Sequence, residues 1–186
     1  GRLISRFSIG RRGSKGGYPS RRCALFFLAA VCAAMLCPAD DALTVARDAL
    51  RDHLYPLAQR HAEKVLASKD ADLHESAMLA LLEALAGQGK YGEILKRNEA
   101  DILAGMPRSE TAKHAFAYWQ ALALLETGAY AQAAQVAESA TKQGGGADFT
   151  DALLRIAARA RQKAGDLNEA WTLYSELDQR STNAVS

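Results

Sequence analysis

The densest hydrophobic patterning lies between His114 and Ala140, HAFAYWQALALLETGAYAQAAQVAESA. Phe116, Ala117, Trp119, Ala121, Leu122, Leu124 and Leu125 recur at helical spacing and stop at Thr127-Gly128, where glycine can adopt the left-handed conformation that ends a helix. A second helix is predicted from Tyr130. Its Ala133, Ala137 and Ala140 fall three and four apart on one face, and side chains this small let two helix axes approach closely. The stretch therefore predicts a helical hairpin with a small-residue seam.

From Asp41 onward the chain reads as helix almost throughout, and the hairpin pattern recurs. A turn glycine, an aromatic two residues later and an alanine three further on define a template. It reappears as Gly89-Lys90-Tyr91-Gly92-Glu93-Ile94 and as Gly165-Asp166-Leu167-Asn168-Glu169-Ala170. A weaker copy is His53-Leu54-Tyr55-Pro56-Leu57-Ala58, where histidine replaces glycine and Pro56 suits a first helical turn. Positions 53, 89, 128 and 165 are 36, 39 and 37 residues apart. The excess length falls in two connections. Ala104 to Glu110 is one, with Ser109 or Thr111 as a cap for the next helix, and Gln143 to Asp148 is the other. The glycines at 144–146 lack a following Lys-Ser or Lys-Thr and any preceding strand, so they read as a linker and not as a phosphate loop.

These residues resemble the tetratricopeptide repeat. That family expects Gly, an aromatic, Ala, an aromatic or small residue and Ala at intervals of two, three, four and three. Repeat three gives Gly128, Tyr130, Ala133, Ala137 and Ala140; repeat four gives Gly165, Leu167, Ala170, Tyr174 and Leu177; repeat one gives His53, Tyr55, Ala58, Ala62 and Val65. Repeat two departs most, continuing from Gly89 and Tyr91 to Ile94, Asn98 and Asp101, and its second helix is expected to be shorter or tilted. The resemblance implies an all-α fold, a right-handed α-solenoid of about four stacked helical hairpins over residues 40–180, followed by a tail at 181–186. One hairpin cannot bury its apolar face alone, so neighbours must stack and terminal units should be more polar outside. Repeat four ends at Leu177 to Thr182 without a further amphipathic helix, which implies either dimerisation there or the front of a longer array.

The family geometry also implies a concave surface lined by the first helix of each pair. Arg47 and Arg51, with Leu43 and Leu50, would face it from repeat one, and Glu83, with Leu79 and Ala86, from repeat two. Tyr118, Leu122 and Glu126 would follow from repeat three, then Arg155, Arg159 and Gln162 from repeat four. The Lys and Asn set of the family's carboxylate clamp is missing. Arg155 and Arg159, four apart on one helix, are the nearest thing to an anion-binding pair.

The N-terminal 39 residues differ in kind. They hold seven basic residues, no acid and all three cysteines (Cys23, Cys32, Cys37). The formal charge of +2 is thus an average: residues 40–186 retain 16 basic and 21 acidic residues, a net of −5, which fits nucleic acid poorly. Residues 1–22 read as a disordered basic leader. Residues 23–39 read as a secretory signal core and cleavage region, with cleavage after Ala39. Even the widest uncharged stretch, Cys23 to Ala39, is short of the roughly 20 apolar residues of a spanning helix, so an uncleaved anchor is the second reading. The expected location is the periplasm.

No chemistry announces itself beside this. His53, His61, His74 and His114 form no His-Glu-x-x-His and read as surface or turn residues; His74-Glu75 is expected to start a helix. No serine stands in a Gly-x-Ser-x-Gly turn, and Asp40-Asp41 and Asp70 with Asp72 suit helix starts. Trp119, Trp171, Tyr118 and Tyr174 are expected in a core or rim. Catalytic, cofactor-binding and metal residues are therefore expected to be none, with no cofactor and no enzyme activity. The expected function is a protein-protein interaction scaffold of the bacterial cell envelope, holding a partner protein or peptide segment in its groove. The alternative is an accessory repeat domain of a longer enzyme or sensor, and self-association through the last repeat is a third reading.

Overall fold

The computed structural model describes residues 39–68, 70–103, 109–143 and 147–183. The leader and signal, the connection at 104–108 and the three glycines at 144–146 lie outside the described residues. Among those described, every regular element is a helix. The eight are α1 (Ala39–Arg51), α2 (Tyr55–Leu66), α3 (Ala71–Gly87), α4 (Tyr91–Leu103), α5 (Glu110–Glu126), α6 (Tyr130–Lys142), α7 (Ala147–Ala164) and α8 (Leu167–Asn183).

The four tight turns are built alike. Gly89, Gly128 and Gly165 have φ of 70°, 87° and 94°, and His53 has φ 58°, so the four register positions at 53, 89, 128 and 165 share the left-handed region. Each turn closes with the same two backbone hydrogen bonds. Ala129 N–H donates to the Leu124 carbonyl at 2.9 Å while Gly128 N–H donates to Leu125 at 3.2 Å; Lys90 and Gly89, Asp166 and Gly165, and Leu54 and His53 repeat the pair. This is the 6→1 and 5→2 pattern that satisfies the last carbonyls of a helix. Histidine can stand at position 53 because its ring recovers part of the steric cost, through a 3.0 Å hydrogen bond between Nδ1 and the Tyr55 hydroxyl.

Consecutive helices touch along the chain from α1 to α8, and α1 also meets α3, α3 meets α5 and α5 meets α7. Alanine makes these approaches possible. Ala58, Ala62, Ala133, Ala134 and Ala137 are fully buried, and the Ala133–Ala137–Ala140 seam packs with Leu153, Ile156 and Ala157 of α7. A second cluster gathers Leu81, Leu82, Leu85, Ile94 and Phe116 between α3, α4 and α5. α2 approaches α3 tightly at Gly87, where an added Cβ would stand 2.4–2.5 Å from the Tyr55 ring.

Several expectations need correcting. The second helix of repeat two is not shortened: α4 has 13 residues, as does α6. It meets its hairpin partner most sparsely of the four pairs, and where the resemblance expects an aromatic or small residue it carries a buried Asn98. The Asn98 amide reaches the Phe116 carbonyl only at 3.5 Å, and among the described residues its Oδ1 has no partner. α3 starts at Ala71, a turn before His74-Glu75, and Asp70 occupies the cap position without a side-chain hydrogen bond. Ser109, not Thr111, caps α5, accepting from Ala112 N–H at 3.2 Å. Its own N–H and hydroxyl donate to Glu75, tying the start of α5 back to α3. His114 is no surface residue: it is 3% exposed, its Nδ1 donates to the Glu110 carbonyl at 2.8 Å, and Nε2 is left without a partner. His74 is half-buried against the Ser68 carbonyl.

Candidate functional site

The first helices of the pairs converge on a cup of about 340 Å³. α1 contributes Arg47 and Leu50, α3 Ser76, Leu79, Ala80 and Glu83, α5 Ala115, Tyr118 and Trp119, and α7 a single residue, Phe149. The spacing explains the arrangement. Leu79 and Glu83 are one helical turn apart, as are Ala115 and either Tyr118 or Trp119, so each helix presents one stripe to the same hollow. The aromatic side is a connected group: Tyr118 meets Trp119 edge-to-face at 4.9 Å between ring centroids and Phe149 at 6.3 Å. Such geometry is favoured by the ring quadrupoles and leaves a firm apolar wall.

Two charges edge that wall. Among the described residues neither Arg47 nor Glu83 has an ion pair, although both line the cup. Burial against the apolar side chains pushes the Glu83 carboxyl above its ordinary value. The Tyr118 phenol is pushed up as well, first by burial and then by the nearby Glu83 and Tyr91. Partial desolvation raises the cost of the Glu83 charge, and no ion pair among the described residues offsets it.

The predicted groove residues are thus brought together only in part. Arg47, Glu83 and Tyr118 share the cup, with Leu50 and Leu79 beneath them. Arg51 lies beyond it and pairs with Asp48 on its own helix at 3.2 Å. Leu122 is half-buried against the α5–α6–α7 core. Glu126 and Arg159 face one another at 3.9 Å, and Gln162 accepts from the Tyr174 hydroxyl at 3.4 Å. The notion of an Arg155–Arg159 anion pair is weakened by the Glu126 contact, since Arg159 already has a carboxylate; Arg155 is exposed, with no ion pair among the described residues. Sequence reasoning missed Phe149, which follows the glycine-rich connection and carries no register signal; Trp119, expected in a core or rim, is half-buried and lines the cup.

Elsewhere the polar side chains join one hairpin to the next. Arg161 of α7 donates to both Glu138 oxygens, at 2.8 and 3.2 Å, and to Asp166 at 3.2 Å; these bonds hold its guanidinium well above the ordinary arginine range. Gln59 of α2 accepts from Gln88 at 2.9 Å and Lys90 at 3.1 Å across the next turn. Among the described residues no three His, Cys, Asp or Glu side chains gather as a metal site, and no helix is long and apolar enough to cross a membrane.

No protein-family model, no curated protein and no solved structure matches this chain. The likeness to tetratricopeptide repeats rests on the residues of this sequence alone.

Proposed function

We propose that the chain is a non-catalytic protein-binding scaffold, a right-handed α-solenoid of four tetratricopeptide-like hairpins that holds a segment of a partner protein against its first-helix face. The observation that carries this reading is the cup itself. Four first helices supply an aromatic and aliphatic floor, and at its edge stand two charges that no residue of the described chain neutralises. An extended segment crossing the floor would bury an apolar side chain against Tyr118, Trp119 and Phe149 and meet Arg47 and Glu83 with charges of opposite sign. The net acidity of residues 40–186 turns the choice from nucleic acid to protein.

The proposed setting is the bacterial cell envelope. It is supported by Arg21-Arg22 ahead of the apolar run Cys23 to Leu36 and the small residues that follow. Export is checked by fractionating cells and sequencing the N-terminus of the recovered protein.

The binding reading is tested by affinity capture with the full chain. Tyr118→Lys, which places a charge in the apolar floor, should lose the captured partner. Gln135→Lys on α6, which contributes nothing to the cup, should keep it. Equal capture by both variants would place the binding surface elsewhere.

A further inference from the structure

The four turns put the hairpins in register, so each helix face can be compared with its counterparts. Two, six and nine residues after the turn position stand Tyr55, Gln59 and Ala62 in α2, Tyr91, Leu95 and Asn98 in α4, and Tyr130, Ala134 and Ala137 in α6. All nine are buried or half-buried, because the next first helix covers them. The same positions in α8 are Leu167, Trp171 and Tyr174, and they are 66%, 75% and 38% exposed.

The other end differs. α3 buries Ala77, Ala80, Leu81 and Ala84, and α7 buries Leu153, Ile156, Ala157 and Ala160 at the equivalent places. The matching residues of α1 are Asp41, Thr44, Val45 and Asp48, all exposed. One terminal face is polar and the other apolar.

We propose that the outer face of α8 is an interface that pairs two copies of this chain about a twofold axis, α8 against α8. The inference uses the register of the turns and does not depend on the groove. Three features carry it. First, the polar α1 face is a poor occupant: stacking it on α8 would press the Asp41 carboxylate and the exposed Asp48–Arg51 pair against Trp171 and Leu167, at a desolvation cost that an apolar partner does not carry. Head-to-tail growth is thereby disfavoured, while the α8 face is apolar on both partners when it meets itself. Second, the three exposed side chains present on the order of 400 Å² of surface, close to the apolar share of the roughly 800 Å² that each partner buries in a standard interface. Third, the face is not flat: Trp171, Tyr174, Ser175, Asp178 and Gln179 line an open hollow of about 290 Å³ along α8, against which the indole of a second copy can rest.

Sedimentation velocity of the full chain over a range of concentrations tests this. The apparent mass should rise with concentration from one chain to two and stop there. Trp171→Glu should move the midpoint to at least about tenfold higher concentration with unchanged helicity, since Trp171 supports little of the monomer's core. Leu167→Glu, on the same exposed face, should weaken pairing in the same direction. A wild-type chain of single mass at every concentration would overturn the proposal and leave the face to another domain or a different protein. Growth beyond two chains would overturn the twofold form, and association unaffected by Trp171→Glu would overturn the assigned face.

Discussion

Gly128 shows how far a single residue decides the local structure. Its φ of 87° is unfavourable for any side chain, and nothing within 4 Å would obstruct an added Cβ, so the cost of a substitution there is backbone strain alone. Gly128→Val should lower stability by about 1–3 kcal/mol in thermal unfolding; an unchanged Tm would mean that the turn is not held as described. Glu83 makes a different prediction. Its folded value is raised above the unfolded one by burial, so the folded state holds its proton more tightly, and stability falls as pH rises from the unfolded value through the folded one. Glu83→Gln should therefore stabilise the protein at pH 7, by less than about 1 kcal/mol once solvent screening is counted and read as a higher Tm, and give no advantage at pH below about 4. Equal effects at both pH values would contradict the burial argument. These residues were unequally legible beforehand. The turn at 128 was plain because glycine has a local reason to be there, whereas the raised Glu83 value comes from burial, which is a matter of tertiary packing.

At the scale of the helix, the repeated turn gave the register, and hairpin boundaries followed from it. His53 belongs to the same set of left-handed residues although its side chain argues against it, and only the spacing to position 89 revealed it. What the spacing could not reveal was how tightly neighbouring pairs pack. A tight approach falls at Gly87, which the periodicity treats as an ordinary helix position but which meets Tyr55 of the preceding pair. Gly87→Ala should destabilise by about 1–3 kcal/mol through overpacking. In a Tyr55→Ala background the same change should stabilise slightly, because alanine then brings only its better helix propensity, up to about 1 kcal/mol. Chemical denaturation of the four-member cycle checks the sign reversal; additive effects would show that the ring and the glycine are independent. His114 was misjudged for a related reason. On its own helix it looks like any polar interruption, and its burial comes from the tertiary packing around it.

Across the whole molecule, the all-helical architecture could be read from composition and periodicity, since neither depends on long-range contacts. The candidate site was readable only in outline. Arg47, Glu83 and Tyr118 were placed by register, but the cup closes only with Trp119 and Phe149, brought in by packing that no local pattern encodes. Arg159 and Gln162 instead have polar partners of their own, Glu126 and the Tyr174 hydroxyl, which shifts the expected contact zone towards the α1–α3–α5 end. The central claim is that a partner segment lies on this floor, and site-specific photo-crosslinking in living cells tests it most directly. A photoreactive phenylalanine analogue at Tyr118 should capture a partner protein, and the same probe at Gln135 on α6 should not. Capture at Gln135 with none at Tyr118 would contradict the account.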